Sequence, residues 1–171
     1  TKDQEQFEYL LGQALDKSLI SEAVIAKSEK ERLDIWSLRD DVEKQAQFGP
    51  TLMFDVSLPI SQMEKYVAKV RTNLDKYWEQ FNLIVWGHLA DGNLHLVVGV
   101  GDLEKETIKK IEGSVYKPLE HIGGSISAEH GIGLEKKPYL HLSRTKEEIK
   151  YMKALKKTFD PNGILNSGLI F

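Results

Sequence analysis

Apolar residues recur first at helical spacing, then in alternation, then in short runs. Phe7, Leu10, Leu11, Ala14 and Leu15 fall three or four positions apart, which predicts a helix over 4–18. The run Ala23-Val24-Ile25-Ala26 predicts a short strand. Ser28 can cap a helix over about 29–44 that carries Leu33, Ile35, Trp36 and Leu38. Gly49-Pro50 breaks the chain. Leu52, Phe54, Val56 and Leu58 then alternate with other residues, as one face of a strand does, and Pro59 ends it. Ser61 opens a helix to about Trp78. The runs 83–89 and 94–100 predict a hairpin, with Asp91-Gly92 as its two-residue turn. An amphipathic helix follows over 103–121, with Gly113 and Pro118 as candidate interruptions and Gly123-Gly124 as its stop. Ser125-Ile126-Ser127 reads as a short strand, 131–133 as a loop, and 145–159 as a helix ended by Asp160-Pro161-Asn162-Gly163. The apolar tail 164–171 is expected to pack, and Trp36, Trp78 and Trp86 are expected in the core.

This order predicts an α+β fold: a mainly antiparallel sheet with helices packed on it, closest to a ferredoxin-like arrangement. A length of 171 residues suits one domain. Lys plus Arg number 23 against 26 Asp plus Glu, a formal charge of −3, which argues against a nucleic-acid partner. With no cysteine, disulfides, thiolate ligands and a cysteine nucleophile are excluded. No apolar run approaches the roughly 20 residues of a membrane-spanning helix, and the polar residues 1–6 do not resemble a signal peptide. A cytoplasmic location is the expectation. The chain opens on Thr1, which suits a start inside a longer protein. No Gly-rich loop joins a strand to a helix, so the chain itself is not expected to bind a nucleotide phosphate.

Two windows carry candidate chemistry and hold three of the five histidines. In Gly87-His88-Leu89-Ala90-Asp91-Gly92-Asn93-Leu94-His95, a turn at Asp91-Gly92 sets His88 opposite His95 on one sheet face. Two imidazoles so placed can share a transition-metal ion or form a polar stacked pair. In Ser127-Ala128-Glu129-His130-Gly131-Ile132-Gly133, a carboxylate and an imidazole sit beside glycines that allow close approach to a ligand. Neighbours in extended chain point opposite ways. One of Glu129 and His130 can therefore serve a metal while the other faces a substrate, unless the chain turns between them. The alternative is a solvated loop. His121 and His141 read as surface residues.

These windows, followed by Phe159-Asp160-Pro161-Asn162-Gly163-Ile164-Leu165-Asn166, resemble the C-terminal region of FAD-linked oxidases of the vanillyl-alcohol-oxidase type. The nearest branch is the D-2-hydroxyglutarate and D-lactate dehydrogenase group, and the resemblance runs from about residue 20 to the end. It implies that residues 1–171 are a substrate/cap domain whose N-terminal FAD-binding partner domain is absent. It implies His88, His95 and Glu129 as ligands of Zn2+ or another divalent transition metal, and His130 as the active-site base. Arg39, in Trp36-Ser37-Leu38-Arg39, would hold the substrate carboxylate, and Asn166 would lie near FAD. The implied reaction oxidises a D-2-hydroxy acid to the 2-oxo acid. Electrons would pass to an acceptor such as an electron-transfer flavoprotein or a quinone, and a homodimer is compatible. The fragment alone would be inactive. The other classes are a non-redox zinc-binding or hydrolytic domain using the same ligands, and an inactive structural remnant.

The chain departs from 2-hydroxyglutarate-specific members of the group. They place a threonine and a lysine on the distal carboxylate, where Glu43 and Met53 align here. That difference predicts a monocarboxylate substrate.

Overall fold

A computed structural model of the chain describes residues 1–40 and 47–171, apart from the Arg39 side chain. The chain falls into two units, Thr1–Glu43 and Lys44–Phe171.

The first unit holds two helices. Helix α1 (Lys2–Asp16) starts at Thr1, whose hydroxyl accepts from the Gln4 amide at 3.3 Å, and no residue of α1 is buried. Helix α2 (Glu29–Asp40) starts at Ser28, whose Oγ accepts from the Glu31 amide at 3.2 Å. The Glu31 carboxylate accepts from the Lys27 amide at 2.7 Å, which ties the first turn to the chain just ahead of it. The expected strand at Ala23-Val24-Ile25-Ala26 does not form; this stretch is unpaired, and Val24 is exposed. A strand needs a neighbour for its backbone groups, and among the described residues of this unit there is none. Trp36 is about half exposed rather than in a core.

The second unit follows the alternation of its sequence closely. It contains β1 (Thr51–Ser57), α3 (Met63–Leu74), β2 (Asn82–His88), β3 (Asn93–Gly99), α4 (Lys105–Tyr116), the short α5 (Gly133–Lys136) and α6 (Lys146–Phe159). The sheet is antiparallel with order β1-β3-β2. Ser125 adds one further bridge on the outer side of β1, through Ser57 N–H to Ser125 O at 3.0 Å and the reverse bond at 2.7 Å. The order is thus Ser125, β1, β3, β2, a ferredoxin-like βαββαβ topology whose fourth strand has shrunk to a single bridge.

Strand parity decides which residues meet the helices. Phe54 and Val56 of β1, Leu96 and Val98 of β3, and Val85 of β2 face α3 and α4, which contribute Tyr66, Val70, Leu74, Ile111 and Val115. Burying each such aliphatic side chain contributes roughly 1.5–3 kcal/mol. Gly113 does not interrupt α4, whereas Pro118 marks the 3-10 turn that follows Tyr116. A capping box between Thr145 and Glu148 starts α6.

The tail differs from expectation. Phe171 packs against the core, but Ile164 and Leu165 are exposed. Their amides both bond the Asp160 carboxylate at 2.9 Å, so the turn is fixed from its polar side and the apolar side chains face outward.

Candidate active and metal-binding site

The residues between the core positions line the opposite sheet face. β1 presents Met53 and Asp55, β3 presents Asn93, His95 and Val97, and β2 presents Trp86 and His88.

The hairpin register is shifted from the expected one. His88 pairs with Asn93, and His95 pairs with Trp86, so the reversal uses the four residues Leu89, Ala90, Asp91 and Gly92 rather than Asp91-Gly92 alone. The Asp91 carboxylate accepts from the Asn93 amide at 3.1 Å, Gly92 takes φ +76°, and its amide bonds Leu89 O at 3.3 Å. Leu58 N–H donates to Gly92 O at 2.9 Å and ties the turn to the segment after β1. A two-place shift preserves the face on which each side chain lies. His88 and His95 are therefore diagonal neighbours, with ring centroids 5.6 Å apart at 84°.

The chain does turn between Glu129 and His130, and both come over this face. Glu129 Oε1 lies 3.7 Å from His88 Nε2. The His130 ring stacks 6.1 Å from that of His95, with its Nδ1 3.9 Å from Asp55 Oδ2. One donor atom from each of His88, His95 and Glu129 lies within 4.8 Å of the others, and among the described residues this is the one such group of metal-ligating side chains. A tetrahedral ion with bonds of about 2.0–2.1 Å needs donors roughly 3.3 Å apart, so modest side-chain rotation would close the trio. Two imidazoles and a carboxylate suit a divalent transition metal such as zinc.

Two buried polar residues fix Glu129 and were not singled out by the sequence reading. Asn93 donates its side-chain amide to Glu129 Oε1, while its own Oδ1 is buried and has no partner among the described residues. Asp55 is fully buried and accepts three consecutive backbone amides: Ala128 at 3.1 Å, Glu129 at 2.9 Å and His130 at 2.9 Å. Ser127 Oγ adds a bond at 3.2 Å, and Lys136 Nζ lies 3.4 Å away. Burial pushes the Asp55 carboxyl up, but the His130 and Glu129 amides and the Lys136 charge outweigh it and hold the group at about 2. Burial lowers the Lys136 ammonium by more than Asp55 raises it.

Asp55 could have been suspected from its place between Phe54 and Val56, which turns it away from the core. Asn93 lies inside the hairpin window. Nothing in the sequence marks Lys136. Trp86 is on the site face, 5.6 Å from the His95 ring, rather than in the core, whereas Trp78 packs against the core. His121 and His141 are exposed, as expected. Asn166 sits in an exposed turn at φ +44° and makes no hydrogen bond to the cluster among the described residues. The Arg39 side chain and Glu43 lie outside the described residues.

No helix among the described residues is long and apolar enough to cross a membrane. A D-2-hydroxyglutarate dehydrogenase of Stutzerimonas stutzeri (strain A1501) is 32% identical over 162 residues, covering 92% of this chain and 35% of that protein. A putative mitochondrial D-lactate dehydrogenase of Schizosaccharomyces pombe is 36% identical over 173 residues, covering 95% and 33%. A mitochondrial D-2-hydroxyglutarate dehydrogenase of Arabidopsis thaliana is 35% identical over 167 residues, covering 97% and 29%. The chain spans about a third of the length of these relatives. A family model described as FAD linked oxidases, C-terminal domain, matches residues 1–170, and the chain belongs to that family.

Proposed function

We propose that this chain is the substrate- and metal-binding part of an FAD-dependent dehydrogenase that oxidises a D-2-hydroxy acid to the 2-oxo acid. The observation that carries the reading is the convergence of His88, His95 and Glu129 beside His130, in a chain of the FAD-linked oxidase family. His88, His95 and Glu129 would hold a divalent ion, zinc first, and the buried carbonyl oxygen of Asn93 leaves an acceptor beside that trio for a bound hydroxyl or water. The ion, when bound, would supply Lewis acidity toward the 2-hydroxyl, and FAD would supply the hydride acceptor.

The side chains of this chain have separate tasks. His130 accepts the hydroxyl proton at Nε2, because its Nδ1 faces Asp55. The Asp55 carboxylate then stabilises the imidazolium that forms. His95, which is buried beneath Trp86 and His130, keeps water from one side of the reacting centre. Arg39 is assigned to the substrate carboxylate and Asn166 to the neighbourhood of the flavin, both on their positions in the motifs. Arg suits the first role because its planar fork binds a carboxylate twice. An electron-transfer flavoprotein or a quinone would take the electrons onward, and a homodimer fits the reading. The absence of cysteine is compatible with a cytoplasmic location, and a mitochondrial one is the second reading because two of the relatives above carry that name.

The test uses the 171-residue chain. It should fold, retain zinc after dialysis, bind a D-2-hydroxy acid and show no turnover, since it carries no hydride acceptor. Retention of no divalent ion together with no binding of D-lactate or D-2-hydroxyglutarate would refute the proposal. Turnover by the pure chain would refute the division of labour.

A further inference from the structure

We infer that Asp55 is a positioning residue: by gathering the amides of Ala128, Glu129 and His130 onto one buried carboxylate, it forces the bend that brings Glu129 and His130 over the same sheet face. The inference rests on the assignment of those two side chains to the site.

In extended chain, successive N–H groups point to opposite sides, as successive side chains do. Three consecutive amides can reach one acceptor only if the backbone curls around it. The Asp55 oxygens are that acceptor. Glu129 and His130, which alternation would separate, then both serve one cleft.

Asp55 can impose this geometry because it is itself fixed. Its backbone is held by β1, directly opposite His95 on β3. Its carboxylate is fully buried and so has no competing water. One side chain thereby references the loop ligand to the strand that carries His95. Lys136 Nζ approaches from α5 and also donates to Ser127 Oγ at 2.8 Å, which closes the back of the bend.

The residue type follows from charge and reach. Oδ2 of Asp55 meets three amides, a hydroxyl and an ammonium, and only the Glu129 amide also reaches Oδ1, at 3.2 Å. A neutral amide oxygen in that place would draw the same donors more weakly, because bonds to an ionised acceptor are roughly twice as strong. Glutamate would carry the acceptor one methylene further and displace the loop. Such outer interactions commonly set the affinity of a metal site through the orientation of its ligands.

The experiment combines amide hydrogen exchange on the metal-free chain with zinc titration against a chelator. In the wild-type protein the amides of Ala128, Glu129 and His130 should exchange as slowly as those of β3. D55L/K136M removes the acceptor and both buried charges together, so it leaves no unpaired ammonium. It should lose protection at these three amides and bind zinc about ten- to a hundredfold more weakly. K136M alone keeps the acceptor and should retain both protection and most of the affinity. D55L/K136M with unchanged protection or unchanged zinc affinity would overturn the inference. So would wild-type amides at 128–130 that exchange freely, a result that needs no variant to fold. A wild-type chain that binds no zinc but shows the protected amides would remove the metal reading and leave the positioning role of Asp55 standing.

Discussion

Met53 and Val97 stand opposite one another on β1 and β3, one same-face pair along from Asp55 and His95. Met53 is 49% exposed and Val97 is buried, so the sheet continues from the candidate ligands into an apolar wall, and neither residue supplies a cation. A substrate carboxylate left unpaired there costs several kcal/mol, roughly a thousandfold in discrimination. On the proposed function, the full-length protein is expected to have higher kcat/KM for D-lactate and D-2-hydroxybutyrate than for D-2-hydroxyglutarate. M53K should narrow the gap. A clear preference of the unmodified enzyme for the dicarboxylate would show that another residue supplies the cation.

Metal content gives a more direct test. H88A, H95A and E129A each remove one of three donors and should strongly lower zinc retained after dialysis. Replacing Asn93 with Leu removes the amide that holds Glu129 and should weaken zinc binding about tenfold or more while leaving all three donors in place. Equal metal content in wild type and the three alanine variants would rule out the ligand set.

Acid should destabilise the second unit through Asp55. The carboxyl titrates near 4 when unfolded and at about 2 when folded. A depressed folded value means that the stabilisation is fully present above about pH 4 and fades as pH falls toward about 2. Its size is about 2–3 kcal/mol. Urea unfolding across this range should show the loss in wild type and a shallower one in D55N/K136M. Equal slopes in the two proteins would contradict it.

The hairpin turn offers a steric prediction. At Gly92, with φ +76°, an added Cβ would lie 2.5 Å from Leu58 O. G92A should therefore cost roughly 1–3 kcal/mol. At Gly113, inside α4, the nearest atom would be the flexible Lys117 Cε at 3.8 Å. G113A should be neutral or stabilise by up to about 1 kcal/mol. Thermal melts of the two variants should move in different directions.

The second unit was legible because its strands alternate cleanly: Leu52, Phe54 and Val56 define the core side of β1 without any tertiary information. The same alternation put His88 and His95 on a common face even though the register differed by two places. The turn itself was misread because the bond from Leu58 N–H to Gly92 O is tertiary, and dipeptide preferences do not contain it. Ala23-Val24-Ile25-Ala26 was misread because apolarity marks a candidate strand but does not provide a partner. Alternation turns Asp55 away from the core but names no partner, and its contact with Lys136 was invisible because the two are 81 residues apart.

Glu129 is held at its backbone by a residue 74 positions away and at its carboxylate by one 36 positions away. His88 and His95, by contrast, come together within a single hairpin. Closing the longer loops costs more chain entropy and happens after local structure forms. During folding, an early ion would meet only a two-imidazole hairpin with weak and fast-exchanging affinity. On the proposed ligand set, tight capture would wait until β1 has docked the 127–130 segment, so loading with metal would be a late event that reports completion of the fold.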